Sequence, residues 1–377
     1  MMVKRDQETQ IKNFLFRQKT IIIYGARQTG KTTLVKALVK NYKHPVLFLN
    51  GDEFDVRTIL SDPNPEKLKP IIGKNKLIVI DEAQRITETG IVLKIIHDNF
   101  PDIQIIATGS SAFELANKIK EPLTGRKFEF NLYPFSFREM VNYHGFLTEK
   151  RMLEHRLVFG YYPDIALNQD LEQKLLKELS SSYLYKDLLM LEQIQKPVLL
   201  EKILKALALQ ICNEVSYYEL ATLTGSDKGT VEKYIDLLEK AFIIFRLNGL
   251  NRNVRNEIKK GKKIYFYDNG IRNAIIGNFL PLSSRSDSGA LWENFLVSER
   301  IKFNNNSNID VKSYFWRTTQ QQEIDYIEEN KNKLYAYEFK WNPNKKGFIS
   351  KTFLNAYPES SFKIINPDTI HEFLLSE

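Results

Sequence analysis

The sequence predicts an α/β protein: a parallel-sheet core at the amino end, then a helical linker, a helix-turn-helix followed by a wing, and a second, smaller α/β domain. Three observations predict it. The apolar run Ile21–Tyr24 leads straight into Gly25-Ala-Arg-Gln-Thr-Gly-Lys-Thr32, and that loop opens a segment in which Leu34, Ala37 and Leu38 recur at helical spacing. A second apolar run, Leu77–Ile80, ends in the acid pair Asp81–Glu82. Far downstream, Glu323–Glu328 and Leu334–Trp341 read as two strands joined across Glu329–Lys333.

A chain of 377 residues allows two or three domains with real cores. No apolar run approaches the ~20 residues needed to cross a bilayer, so no membrane partner is expected. Met1–Asn13 is polar and charged, unlike a secretory signal. One cysteine, Cys212, excludes an internal disulfide, and with five scattered histidines it leaves no zinc-finger spacing. These features place the protein in the cytoplasm. The net charge of +8 is modest, but its distribution is uneven: Arg246, Arg252, Arg255, Lys259, Lys260, Lys262 and Lys263 fall in one short segment with a single acid, Glu257. That segment is a candidate anion surface, or a solvated loop in a lysine-rich protein.

Taken in order, Gln7–Phe16 is expected to be a short amphipathic helix and Thr20–Tyr24 the first strand. In the loop, Gly25, Ala26, Arg27, Gln28, Thr29, Gly30, Lys31, Thr32 and Thr33 are the candidate nucleotide-binding residues. Gly25 and Gly30 permit backbone angles that let successive N–H groups point at phosphate oxygens, and the following helix turns its positive end to the same anion. Lys31 is expected to reach the β- and γ-phosphates, and the Thr32 hydroxyl to ligate Mg²⁺. Pro45–Asn50 is the second strand, Ser61–Pro70 a proline-broken linker, and Leu77–Glu82 the third strand. Asp81 would hold the Mg²⁺ shell and Glu82 would orient the attacking water as catalytic base. The pair follows the phosphate loop by about fifty residues, room for the intervening strand and helices. Ile103–Ser111 is a fourth strand with polar residues at its end, and in the class of ATPase that these motifs resemble such a strand lies between the first and third. Thr108, Ser110 or Ser111 at its end would sense the γ-phosphate, or a serine would cap the helix Ala112–Lys120. Arg126, on the loop before the strand Lys127–Leu132, is a candidate arginine finger, in cis or in trans within a homo-oligomer.

These stretches together resemble a known family. The phosphate loop, Ile80-Asp-Glu-Ala-Gln-Arg85, Thr108-Gly-Ser-Ser111, Gly125-Arg126 and Leu132-Tyr-Pro-Phe-Ser-Phe-Arg-Glu139 look like prokaryotic AAA+-like ATPases that carry a C-terminal domain of long-unassigned function. The likeness continues in Gly160-Tyr-Tyr-Pro163, Lys263-Ile-Tyr-Phe-Tyr-Asp-Asn-Gly270 and Gly289-Ala-Leu-Trp-Glu-Asn294, and so covers nearly the whole chain. It implies an AAA+-like P-loop NTPase core over 1–145, a helical linker or reduced lid over 146–195, a winged helix over 196–255 and a restriction-endonuclease-like domain over 256–377, with ATP and Mg²⁺ as cofactors.

In the middle of the chain, Glu149–Phe159 and Gln169–Leu191 have helical spacing. Lys202–Cys212 is a helix, and Tyr217–Thr224, Gly225–Ser226 and Asp227–Lys240 form a helix-turn-helix whose second helix offers Asp227, Lys228, Thr230 and Lys233 to a groove of duplex DNA. Ala241–Leu247 then reads as a wing strand. Such modules bind DNA or proteins. At the carboxyl end, Gly289–Lys302 is a helix carrying Glu293, and Asn304–Asn308 a polar loop. Asp325 and Glu338 are separated by twelve residues, and Lys340 shares the face of Glu338. This D-x₁₂-E-x-K pattern resembles the PD-(D/E)xK nucleases, although isoleucine rather than proline precedes the aspartate. The resemblance implies Mg²⁺ held by Asp325, Glu338 and Glu293, with Lys340 catalytic, or the same fold without activity. Two functions are carried forward: an ATPase coupled to DNA binding or processing, and a nucleotide-gated switch that engages a protein partner.

Overall fold

The computed structural model describes residues 2–40, 42–110, 119, 122–183, 196–251, 261–345 and 347–375. These fall into two compact units. The first is Met1–Pro134 together with Lys240–Phe242; the second is Phe135–Tyr185, Ile194–Glu239 and Ile243–Glu377, in each case their described residues.

The first unit is built on five strands: β1 (Thr20–Tyr24), β2 (Val46–Asn50), β3 (Leu77–Asp81), β4 (Gln104–Gly109) and β5 (Lys127–Asn131). Their order is β2-β3-β4-β1-β5 and every pairing is parallel. Ile21–Ile23, Ile78–Ile80 and Ile106–Ala107 are fully buried, as parallel strands covered on both faces require. The expectation that β4 separates β1 from β3 holds. This order brings the carboxyl ends of β1, β3 and β4 together, where ligands bind in open α/β sheets.

The expected linker Ser61–Pro70 is instead mostly helix, Pro65–Ile72. Asn64 caps it by accepting from the Glu66 N–H at 2.9 Å, and Pro65 stands at the first position, where a missing N–H costs nothing. Burial of Leu68 and Ile72 holds the segment helical despite Pro70 in its second turn.

The second unit carries β6 (Glu214–Val215), β7 (Ile244–Gly249), β8 (Lys262–Phe266), β9 (Lys312–Arg317), β10 (Glu323–Asn330), β11 (Lys333–Phe339) and β12 (Ser361–Ile365). They form one sheet, β12-β11-β10-β9-β7-β8-β6. The β7–β9 and β11–β12 pairs are parallel and the rest antiparallel. Strands from both proposed domains, 196–255 and 256–377, thus belong to this one sheet. The predicted hairpin is present. Its turn residues Lys331 (φ 50°) and Asn332 (φ 64°) both adopt the left-handed conformation that a two-residue hairpin loop demands. The helix carrying Glu293 runs Ser288–Asn306, so the supposed polar loop is partly its last turn. In the linker region, helices Leu153–Phe159 and Glu172–Glu178 appear as expected, while Leu184, Leu188 and Leu191 lie outside the described residues.

Two of the family-like stretches meet here for structural reasons. Asp268 accepts from the Tyr161 N–H at 2.7 Å and caps the helix Asn269–Ile276 through the Ile271 N–H. A Cβ on Gly270 would lie 2.1 Å from the Phe159 carbonyl oxygen, so the close approach requires glycine.

Candidate functional site

β1 ends at Tyr24, and the Gly25 N–H then donates to the Gly109 carbonyl of β4 at 3.3 Å. Gln28 (φ 61°) and Gly30 (φ 91°) turn the chain through left-handed conformations, and the helix Lys31–Val39 begins. The loop is braced from within and from outside. The Thr29 hydroxyl donates to the Ala26 carbonyl at 2.8 Å. The buried Arg5 guanidinium donates to the carbonyls of Thr29 (2.7 Å) and Tyr133 (2.6 Å). Lys31 is only 5% exposed, and its ammonium donates to the carbonyls of Gly25 (2.8 Å) and Ala26 (2.9 Å), within the loop it was expected to serve. Thr33 sits exposed on the first turn of the helix.

The acid pair is held with equal care. The Thr32 hydroxyl donates to Asp81 Oδ2 at 2.7 Å, and the Thr108 hydroxyl donates to Oδ1 of the same carboxylate. The Glu82 N–H in turn donates to Thr108 Oγ1 at 3.2 Å. Glu82 itself adopts a left-handed conformation (φ 49°, ψ 43°), unusual for a residue with a long side chain. Strain of this kind, of order 1–3 kcal/mol, concentrates at functional sites. The Gln84 amide donates both to Glu82 Oε2 (2.5 Å) and to Ser110 Oγ (3.0 Å). Thus β1, β3 and β4 bring Lys31, Thr32, Asp81, Glu82 and Ser110 to one end of one sheet. The pairing of Thr32 with Asp81 is a hard-oxygen donor set of the type Mg²⁺ takes, usually with one or two protein carboxylates and the rest from water and phosphate. Ser111 lies outside the described residues.

Arg126 is placed elsewhere. Its carbonyl accepts from the Thr20 N–H, at the opposite end of β1 from the phosphate loop, and its Nε pairs with Asp98 Oδ1 at 2.9 Å. Five strand residues, about 16 Å, separate it from the loop, so of the two readings left open for Arg126 this placement favours trans over cis. Arg126→Ala is expected to change kcat by less than about twofold in an isolated chain. The check is phosphate release at a protein concentration where the chain is monomeric. A large loss, restored by mixing with a Lys31→Ala chain, would instead establish a finger in trans.

Residues 17–141, which contain this loop and the acid pair, match the family model of the AAA domain. That match indicates a P-loop, AAA-like ATPase. Residues 150–281 and 288–371 match two domains of unknown function, DUF8612 and DUF4143. Among curated proteins the chain is similar to an uncharacterized protein of Methanocaldococcus jannaschii, 25% identical over 355 residues, covering 88% of this chain and 76% of that protein. An uncharacterized protein of Mycobacterium tuberculosis is 25% identical over 344 residues, covering 90% and 74%. Among solved structures, the Bacteroides Pif1 bound to single-stranded DNA shares 15% identity, over 41% of this chain and 50% of that one, at a TM-score of 0.25. A STAND signal-transduction ATPase from Pyrococcus horikoshii shares 14%, over 82% and 48%, at 0.30. Both scores are too low for the likeness to carry an argument.

Outside the AAA-like unit, the second set of candidate residues converges differently from expectation. Glu293, Asp325, Glu338 and Lys340 do gather at one end of the second sheet. Lys340 Nζ donates to Glu338 Oε1 at 2.6 Å, and Asp325 Oδ2 accepts from the Phe339 N–H at 2.8 Å. Burial, with Glu293 and Glu338 close by, holds the Asp325 carboxyl well above the usual carboxylate range. Yet among the described residues no group of three or more His, Cys, Asp or Glu is arranged to hold a metal ion. The Mg²⁺ site expected of Glu293, Asp325 and Glu338 is not among such groups. The physical reason is Lys263, read from sequence as surface charge. Its side chain is 2% exposed, and its ammonium contacts Glu293 Oε1 at 2.9 Å and also Glu323. The residues present do not fit the metal.

The basic segment is likewise reduced. Arg246 is paired with Asp236 at 2.7 Å and with Glu239. Arg252, Arg255, Lys259 and Lys260 lie outside the described residues. Lys262 lines a groove of about 670 Å³ with Glu214, Glu219, Lys228 and Glu232, a wall of mixed sign. At the start of the second helix, Asp227 accepts from the Thr230 N–H (2.9 Å) and hydroxyl (2.6 Å), so this expected contact pair caps its own helix.

Gln84, Arg5 and Lys263 are what the sequence reading missed. Gln84 stood inside the Asp-Glu-Ala-Gln stretch, which was a findable signal. Arg5 reaches residues 24 and 128 positions away and had none.

Proposed function

We propose that this chain hydrolyses ATP with Mg²⁺ at the loop Gly25–Thr33, and that its second unit is a winged helix joined to a nuclease-like fold that does not cut. The observation that carries the first part is the Asp81 carboxylate held between the Thr32 and Thr108 hydroxyls, with Glu82 next in line. Loop amides and Lys31 bind the β- and γ-phosphates. Thr32 and Asp81 hold Mg²⁺, which when bound neutralises charge developing on the phosphate oxygens. Glu82 accepts a proton from the attacking water. Gln84, bonded to both Glu82 and Ser110, positions that carboxylate and links it to one of the three residues expected to sense the γ-phosphate.

The order helix Pro197–Leu209, β6, helices Tyr217–Thr224 and Lys228–Lys240, β7 and β8, with β6 and β7 both antiparallel to β8, supports the winged-helix reading. Helix Ser288–Asn306, β9, β10, β11, helix Lys351–Ala356 and β12, with β12 parallel to β11, supports the nuclease-like one. Fold alone does not name a partner. Duplex DNA is one reading, resting on Arg252, Arg255, Lys259 and Lys260. The second reading, a nucleotide-gated switch on a protein partner in the cytoplasm, is favoured by a specific observation: Arg246 and Lys263 are tied into internal ion pairs and present no charge to phosphate. Duplex DNA is accordingly expected to change the ATPase rate by less than about twofold at 50 mM salt. A stimulation that is lost on raising salt and on neutralising Lys259 and Lys260 would return the DNA reading to first place.

A further inference from the structure

At the end of the second sheet, Glu293, Glu323, Asp325 and Glu338 gather with Lys263 and Lys340, and Arg317 stands 3.7 Å from Glu323 Oε2. We infer that the Lys263 ammonium is the resident cation of this carboxylate cluster, standing where a nuclease-like fold would hold Mg²⁺, so that the second unit works without a divalent metal. The inference rests on the nuclease-like reading above and deepens it, because it supplies a physical reason for the absence of cutting.

The argument is one of occupied donors. Glu293 Oε1 accepts both from the Lys263 ammonium at 2.9 Å and from the Tyr265 hydroxyl at 2.7 Å. Glu323 Oε1 contacts the same ammonium. Asp325 Oδ2 accepts from the Phe339 N–H, and Glu338 Oε1 from Lys340. At least one oxygen of every carboxylate is thus given to an N–H or O–H donor. Mg²⁺ demands near-octahedral oxygen coordination and gives up its water reluctantly, and here, unlike at Asp81 with its neutral hydroxyl donors, a full positive charge is already held against the acids Glu293 and Glu323. The ammonium also cannot leave easily. Lys263 is fixed in the sheet by the pairing of β8 with both β6 and β7, and its Nζ lies 5.5 Å from the Phe315 ring centroid, a cation–π distance. Three cationic side chains, Lys263, Lys340 and Arg317, already stand among these four acids.

The test counts Mn²⁺ bound to the full-length, nucleotide-free protein by electron paramagnetic resonance. Wild type and Asp325→Asn are expected to bind the same number of ions. Lys263→Met, which keeps most of the unbranched stem and removes the charge, is expected to gain one ion with a Kd tighter than about 1 mM, and to lose it again when combined with Asp325→Asn. Wild type binding one ion more than Asp325→Asn would overturn the inference, as would a folded Lys263→Met that gains none. Should Lys263→Met fail to fold, the comparison of wild type with Asp325→Asn decides alone. Plasmid scission by wild type is a separate readout: it would sink the non-cutting reading whichever way the ion count falls.

Discussion

Glu82→Gln is expected to leave ATP binding intact and to lower turnover by about 10²–10⁴-fold. The substitution keeps the volume and the left-handed backbone of residue 82 and removes only the ability to take a proton. The nucleotide contacts assigned to Lys31, Thr32 and the loop amides are untouched, so the loss falls on kcat and not on KM. The Gln84 amide, which donates to the Glu82 carboxylate at 2.5 Å, finds an amide oxygen in the variant and is still satisfied. Steady-state phosphate release gives kcat, and calorimetry with ATP gives the affinity. Turnover within about threefold of wild type would remove Glu82 from the role of base and pass it to a water held by another group.

The second large effect is on the loop itself. Gly25→Ala is expected to cost about 1–3 kcal/mol of stability and to weaken ATP binding at least tenfold, about 1.4 kcal/mol. An added Cβ would lie 2.2 Å from the Leu132 carbonyl oxygen and 3.1 Å from Thr29 Oγ1. The first of these is backbone, anchored where the Leu132 N–H donates to the Tyr24 carbonyl at 2.7 Å, so it cannot swing aside. The loop must move instead, and with it the amides that face phosphate. Gly30→Ala provides the contrast. There the new Cβ meets only Arg5 Nη1, at 3.7 Å, and the penalty is the left-handed backbone alone, about 1–2 kcal/mol. Denaturant unfolding and ATP calorimetry on both variants test the pair. A Gly25→Ala protein with wild-type affinity would show that the crowded approach to Leu132 plays no part in shaping the site.

Much of the AAA-like unit was legible because its signals are local. A run of β-branched residues specifies a buried strand, glycines at fixed spacing specify the turn, and an acid pair at a strand end marks the ligand edge. The hairpin at Lys331–Asn332 was legible for the same reason. β9 was not, because Tyr314, Phe315 and Trp316 are buried in succession, and a strand buried on both faces loses the alternation by which strands are recognised. The helix Pro65–Ile72 was hidden by its two prolines, one of which in fact starts it.

By itself the sequence pointed to the loop proposed to grip phosphate and to the acids proposed to act beside it, since both signals depend on residues a few positions apart on one strand and one loop. Only the tertiary structure decided the fate of the distant charges. It set Arg126 at the far end of β1, away from the loop, and tied Arg246 to Asp236 and Glu239. It also buried the Lys263 ammonium against Glu293 and Glu323. A charge in a sequence carries no statement of its surroundings. Whether it meets solvent, a ligand or an opposite charge depends on which remote segments the sheet order brings beside it.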